Sequence, residues 1–411
     1  MVTKAASVNF TGKTGLPSVV TATDSLLSIA MLCDSFGALG GVAQIVEDLA
    51  AEFAIAGHRV AVVSNPHKGK TITRPQNPGV EQVWVDLPRA KPLSLRHPER
   101  LWRQRAAPHL TDFICRWSPD VINIHGGLRD RFPAVLKACQ GAQVPVVQSF
   151  HLVPAPSQEG REGARLRNFT CAALRAATAI TFPSFAVKHG FKEISPEAER
   201  AKIIRGGVNL GRAARAIPIE RQRPYIFSAS RLDLHHKAVD VLIAAFGSIA
   251  LEFPEIDLLI AGDGPQRLQI EKAIADSKLE GRIHLLSSLP HEQLWSLYKG
   301  ARVFVMLSRL AEGLPLVFFE AMACSTPVIG TRTGGTPEVV IHEETGLLVD
   351  SNEPSRVATA IKTLLTDDAA REEMGRRGLE LVKKFDWQVV AASYIELYQN
   401  LLRCSSHVRR V

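Results

Sequence analysis

The sequence predicts an α/β fold built from two doubly wound, Rossmann-like domains, and three observations carry that expectation. Short β-branched runs alternate with stretches of helical period along the chain, the pattern of βαβ units and parallel sheets. The 411 residues are 46% apolar, enough for two or three cores. A stretch at Ala216 to Pro224, with two prolines and three charges in nine residues, divides the alternation as an exposed linker would.

Taken in order, the polar stretch Lys4 to Ser25 reads as a tail, covering residues 1–27. Strands are then expected at Ser28 to Cys33, His58 to Ser64, Val80 to Leu87, Val121 to His125, Val144 to Phe150, Ala179 to Pro183 and Lys202 to Arg205. Beyond the linker they fall at Tyr225 to Ala229, Ile256 to Ala261, Ile283 to Leu286, Arg302 to Leu307, Pro327 to Gly330 and Gly346 to Val349. The first helix, Val42 to Ala56, places Val42, Ile45, Val46, Leu49 and Phe53 on one face and is closed by Gly57. The last, Trp387 to Leu402, has Asp386 placed to cap it.

Composition excludes several classes. The longest mostly apolar runs, Leu26 to Cys33 and Val241 to Leu251, are far shorter than the ~18 residues that cross a bilayer. No secretory signal is evident, because a polar stretch precedes the first apolar run and Asp34 closes it without a small-residue cleavage site. Cys33, Cys115, Cys139, Cys171, Cys324 and Cys404 form no CxxC pair, which suits reduced thiols in the cytoplasm. The net charge of +8 invites a nucleic-acid reading, but residues 1–215 carry +11 and residues 216–411 carry −3. The basic half lacks interleaved aromatic and basic residues, so no nucleic-acid partner is expected.

The most informative segment runs from Ser308 to Ala323. It follows a buried strand and opens a helix, with Gly313 permitting a tight turn and Pro315 suited to a helix start. Such a helix start, at the carboxyl edge of a parallel sheet, offers bare N–H groups and a positive dipole end to a phosphate. Glu312 and Glu320 can accept hydroxyl hydrogen bonds at two depths of one crevice. Solvated or capping glutamates, or the acid and base of a glycoside hydrolase, are the alternatives.

Upstream, Arg231 and Lys237 lie six apart on a strand-to-helix connection and can meet a diphosphate from two sides, one by its fork and one as a point charge. Gly262 and Gly264 make a sharp turn after another strand, but Arg267 fills the third glycine position of a dinucleotide fingerprint. Gly334 and Gly335 form a further glycine turn before Thr336-Pro337-Glu338. In the first half, Gly40 and Gly41 join a strand to a helix, while His125 and His151 sit at the carboxyl ends of two strands. Thr11 to Thr14 imitates the end of a Walker loop, but Ser7 stands where its first glycine is needed.

Together these segments resemble the retaining GT-B glycosyltransferases of the glycosyl transferases group 1, or family 4, type. The most specific part is Glu312 to Ala323, followed by Cys324, Thr326-Pro327-Val328 and Gly334 to Glu338. The resemblance implies two Rossmann-like domains facing each other across a crevice: an acceptor side at 28–215, completed by the C-terminal helix at about 388–411, and a donor side at 216–387. It implies that Arg231 and Lys237 hold a nucleotide-sugar diphosphate, that Glu320 binds the ribose and that Glu312 meets the sugar. Leu314, Leu316 and Val317 would contact sugar and phosphate through their amides beside Gly264, Gly313 and Pro315. Gly40 and Gly41 would close the site from the other side, with His151 near the transferred sugar and His125 a weaker match.

Departures are Ala238 after the lysine, Ser325 for a common glycine, and Gly206-Gly207-Val208-Asn209 for the usual Asn-Gly-Val-Asp. No Asp-x-Asp metal motif appears, and no cofactor beyond the nucleotide-sugar co-substrate is implied. The implied partners are that donor and a saccharide or lipid-linked acceptor, in polysaccharide or glycoconjugate synthesis. A GT-B epimerase, or a silent GT-B protein binding nucleotide or anionic polymer, is the alternative. Arg96, Arg100 and Arg103, with Trp102 among them, form a basic, partly apolar segment that suits an anionic acceptor or the inner face of a cytoplasmic membrane.

Overall fold

The computed structural model describes residues 25–33, 40–64, 79–84, 98–126, 138–139, 141–154, 160–350 and 353–408. Seven strands form the first sheet: β1 Ser28–Cys33, β2 Arg59–Ser64, β3 Val80–Trp84, β4 Val121–His125, β5 Val146–Ser149, β6 Ala179–Phe182 and β7 Lys202–Ile203. Six form the second: β8 Tyr225–Ala229, β9 Asp257–Ala261, β10 Ile283–Leu286, β11 Val303–Met306, β12 Val328–Thr331 and β13 Gly346–Val349.

Every pairing is parallel, in the orders β3-β2-β1-β4-β5-β6-β7 and β10-β9-β8-β11-β12-β13. In each sheet the chain winds outward on one side and then returns to the other, so the order reverses between β1 and β4 and again between β8 and β11. Crevices open outside the carboxyl ends of strands at such reversals. The chain leaving β1 leads to Gly40, β4 ends in His125, β8 leads to Arg231 and β11 leads to Ser308.

Among the described residues the helices are α1 Gly41–Ile55, α2 Pro98–Trp117, α3 Gly160–Ala176, α4 Phe185–Lys192, α5 Leu210–Arg215, α6 Val239–Ile249, α7 Arg267–Asp276, α8 His291–Gly300, α9 Leu316–Ala323, α10 Pro354–Thr366, α11 Asp368–Val382 and α12 Trp387–Val408. Because both faces of each sheet are covered, strand residues are buried in succession rather than alternately: all of β4, β8 and β9 are buried. The apolar face read for the first helix is the one that packs, with Val46, Leu49 and Phe53 against Ile29, Met31 and Val60.

Helix α12 follows the second sheet in sequence yet joins the core of the first, placing Trp387, Val390, Tyr394 and Tyr398 among those residues. Asp386 caps it by accepting from the Gln388 amide at 3.0 Å. The crossover is tied down where Val208 N donates to Phe385 O at 2.8 Å and Trp387 N to Val208 O at 3.1 Å. This explains one departure from the family pattern. A Cβ at Gly206 would lie 2.6 Å from Leu316 Cδ2, and one at Gly207 2.5 Å from the Trp387 ring. Asn209 takes the capping role in α5, its Oδ1 accepting from Arg212 N at 2.8 Å.

Beneath the crevice, the parallel strands carry a buried polar layer. Asn123 Nδ2 donates to Tyr398 Oη at 2.7 Å, Ser149 Oγ to Asn123 Oδ1 at 2.9 Å, and Thr181 Oγ1 to Ser149 Oγ at 2.8 Å. Replacing Tyr398 with phenylalanine leaves the Asn123 amide without that acceptor, and denaturant unfolding is expected to show a loss of about 1–3 kcal/mol.

Some boundaries differ from the expectation. The strand expected over Val144 to Phe150 is confined to Val146–Ser149, because Gln143 has φ 54° and Pro145 cannot donate. That expected over Lys202 to Arg205 covers Lys202–Ile203, with Ile204 N still donating to Phe182 O at 2.9 Å beyond it. The last helix runs to Val408 rather than Leu402. Residues 85–87 of the third expected strand, the tail to residue 24 and the Walker-like segment lie outside the described residues.

Candidate active site

The segment after β8 is shaped by close backbone approach. A side chain at Gly262, whose φ is 143°, would overlap the Ser230 carbonyl, and one at Gly264 would overlap that of Leu232. These glycines therefore let the β9 turn seat the Arg231 loop; a donor contact for Gly264 is not needed to explain its lack of a side chain. Leu232 is fully buried and anchors the loop. Arg231 pairs with Asp233, and its side chain remains 64% exposed.

The loop then meets the one after β11. Ala238 N donates to Leu307 O at 3.0 Å and Arg309 N to His236 O at 2.7 Å, while the Arg309 guanidinium grips both Asp240 oxygens at 2.9 and 2.8 Å. This zipper brings Lys237 Nζ to 2.5 Å from Glu312 Oε1. Ser308 Oγ donates to the same oxygen at 2.8 Å, and Ser308 N donates to Thr331 Oγ1 at 2.7 Å. Lysine, carboxylate and hydroxyl thus form one half-buried unit at the β8/β11 reversal.

Glu312 leads into a close backbone contact between the two halves. A Cβ at Gly313 would overlap the carbonyl oxygen of His151 and sit 3.4 Å from Leu152 Cα. Ser184 Oγ, at the cap of α4, donates to Gly313 O at 2.7 Å. Gly335 N donates to Glu312 O at 2.9 Å, and Gly334, at φ 55°, lies against the Glu312 backbone. Glu338 reaches the first half as well, accepting from Ala186 N at 2.9 Å and Arg205 at 3.2 Å.

Helix α9 begins at Leu316, with Pro315 as its cap residue and no side chain capping its first amides. Those of Leu316 and Val317 are thus at the positive end of the helix. Leu314 is buried, and the Leu316 side chain packs across to the first sheet.

One turn further, Glu320 is buried and held by two donors: His291 Nε2 lies 2.9 Å from Oε1, and Tyr298 Oη donates to Oε2 at 2.8 Å. Burial alone would raise its pKa, but the attraction of His291 and the hydrogen bonds from His291 and Tyr298 outweigh it and hold the carboxyl below its ordinary value. His291 is correspondingly raised, burial being overcome by the Glu320 charge.

In the first half, His125 Nδ1 and His151 Nε2 are 3.0 Å apart. Burial pushes His151 down to about 4; His125 is also well below its ordinary value, through burial and then the neighbouring His151. Both shifts favour the neutral rings. Gly40 is the cap residue of α1 and Gly41 its first residue, with no atom of the described residues within 4 Å of where their side chains would start.

The fold therefore unites Lys237, Glu312, Gly313 and His151 by contact, leaves Arg231 with Asp233 and secures Glu320 from beneath. Arg100, Trp102 and Arg103 lie on α2 with side chains outside the described residues, as Arg96 is altogether. The sequence reading gave no part to Ser308, Ser184, His291 or Tyr298. Only Ser308, four residues before Glu312 at a strand end, carried a local signal.

Two facing Rossmann-like halves with this crevice define a GT-B protein. Residues 39–212 match Glycosyltransferase Family 4 and residues 212–380 match Glycosyl transferases group 1. The chain belongs to the group 1 glycosyltransferases. It is 34% identical over 165 residues to an uncharacterised glycosyltransferase of Methanocaldococcus jannaschii, spanning 40% of this chain and 45% of that relative. To the glycogen synthase of Mycobacterium tuberculosis it is 27% identical over 383 residues, 88% of this chain and 91% of that one. The solved structure of Anabaena HepE in complex with UDP-glucose superposes with a TM-score of 0.75 at 19% identity, covering 91% of this chain and all of that one.

Proposed function

We propose that this chain is a retaining glycosyltransferase that moves a sugar from a nucleoside-diphosphate sugar to a hydroxyl of a saccharide or glycolipid acceptor, in polysaccharide or glycoconjugate synthesis. The observation that carries this reading is the Lys237–Glu312–Ser308 unit beside the start of α9, followed directly by Gly313, whose backbone packs against the His151 carbonyl. The Anabaena structure, with UDP-glucose bound to the same fold, supports a nucleotide-sugar donor.

Lys237 and Arg231 would hold the diphosphate, with Arg231 exchanging Asp233 for a phosphate oxygen at its exposed position. The amides of Leu316 and Val317 add to the same field. Glu320 would accept from the ribose hydroxyls, Glu312 and His151 would orient the sugar, and Gly40 and Gly41 would leave room for the phosphates at α1. On this reading the bond from the anomeric carbon to the phosphate oxygen breaks while the bond to the acceptor oxygen forms on the same face. The acceptor proton passes to the departing phosphate. Two cations and a helix terminus stabilise the charge that develops there, so chelation by EDTA is expected to leave turnover unchanged.

The test is a screen of nucleotide sugars for thermal stabilisation and turnover, followed by mass analysis with soluble and lipid-linked acceptors. Donor turnover that yields an epimer without acceptor would replace the transferase reading. For the acceptor side, the surplus of positive charge at 1–215 suits an anionic acceptor or membrane surface at the cytoplasmic face. Among the described residues no helix is long and apolar enough to cross a membrane. Binding to anionic liposomes is expected to weaken with salt, and salt-insensitive or absent binding would count against the membrane version.

A further inference from the structure

His125 and His151 lie side by side in nearly parallel planes, 8° apart, with centroids separated by 5.2 Å. His125 is 2% exposed, and the outer nitrogen of each ring, His125 Nε2 and His151 Nδ1, is buried without a partner among the described residues. A neutral imidazole carries one N–H and one lone pair, so the 3.0 Å bond between His125 Nδ1 and His151 Nε2 contains a single proton. Fixing one tautomer fixes the other. If His151 donates, both rings carry their proton on Nε2; if His125 donates, both carry it on Nδ1. Neutral imidazole side chains favour the Nε2–H form in water, and only the first arrangement gives that form to both.

We propose that His125 is a positioning residue that holds His151 as its Nε2–H tautomer, leaving His151 Nδ1 as a bare acceptor for a hydroxyl of the transferred sugar. The surroundings support a fixed pair. The Tyr394 ring, from α12, packs 6.4 Å from the His125 ring, and the Asn123–Ser149–Thr181 layer locks β4, β5 and β6 in register directly beneath it. The neutrality of both rings agrees with a shared proton and removes His151 from service as a proton donor at physiological pH.

The sugar contact rests on the transferase reading, whereas the tautomer does not, and the experiment separates them. In the full chain labelled with 15N-histidine, long-range 1H–15N correlation is expected to show His151 with a protonated Nε2 and a bare Nδ1. Replacing His125 with leucine should mix the His151 tautomers and lower kcat at least tenfold. His125→Asn, whose side-chain oxygen can accept the His151 proton, should restore both. A protonated Nδ1 in the unaltered protein, or a His151 spectrum indifferent to His125→Leu, would overturn the proposal. If the leucine variant does not fold, the unaltered protein and the asparagine variant still decide the tautomer. Absence of turnover in an unaltered protein with the expected spectrum would instead refute the transferase reading.

Discussion

Replacing Lys237 with alanine is expected to lower kcat for sugar transfer by about 10²–10³, the usual cost of removing one preorganised charge-stabilising group. The ammonium group touches Glu312 at 2.5 Å and approaches Ser308 Oγ and Met306 Sδ at 3.4 Å each, so its position is set from three sides before any donor arrives. Its side chain is 16% exposed and that of Glu312 20%. Removing it leaves the carboxylate with Ser308 and water, and the stability loss should be smaller than for a fully buried pair. A large fall in kcat with a small fall in Tm is therefore the expected combination. A Lys237→Ala enzyme that turns over normally would remove the lysine from the diphosphate site. Arginine at 237 keeps the charge but brings a longer planar fork into space fitted to an ammonium, and should recover only part of the rate.

Gly313→Ala is expected to be nearly as damaging by a different route. The added methyl group would overlap the His151 carbonyl oxygen and come within 2.9 Å of its carbon, and the obstructing atoms are backbone rather than the end of a flexible side chain. The loop must withdraw, stretching the 2.7 Å bond from Ser184 and carrying the neighbouring Glu312 away from its place beside Lys237 and Ser308. Misplacement on the order of 1 Å typically costs about 10²-fold in rate. Tm should fall as well, since this is a contact between the two halves. Gly281→Ala, where no atom of the described residues lies within 4 Å of the new Cβ, serves as the control and should change neither quantity. Normal activity in the Gly313 variant would show that the approach of the two halves is not required for transfer.

Much of the fold was legible because a parallel strand buried on both faces is written as a short β-branched run. Tyr225 to Ala229 and Gly346 to Val349, buried along their whole length, have the bounds expected for that reason. The bounds differ where a proline interrupts the run, as at Pro145. The chemistry-bearing loops were legible as glycine turns after strands, yet the reason for each glycine was not. Gly262 and Gly264 yield to the Arg231 loop, Gly313 to His151, and Gly207 to Trp387. Such reasons depend on segments remote in sequence.

The same limit hid the partners of the expected site residues. His125 and His151 are 26 positions apart, and Glu320 takes its two donors from α8, on the preceding βα unit. Pairing of Arg231 with Asp233 was local but ambiguous, because adjacent opposite charges are as often both solvated as joined. The uneven charge between the halves was plain in the sequence, whereas of the segment that gave it a location only the helical backbone from Arg100 to Arg103 is among the described residues.

The most direct test is the anomeric configuration of the product. With the nucleotide sugar and acceptor that support turnover, NMR of the isolated product should show the donor's configuration kept at the anomeric carbon in the new linkage. An inverted linkage, or conversion of the donor with no sugar transferred to any acceptor, would contradict retaining transfer at the Lys237–Glu312–His151 site.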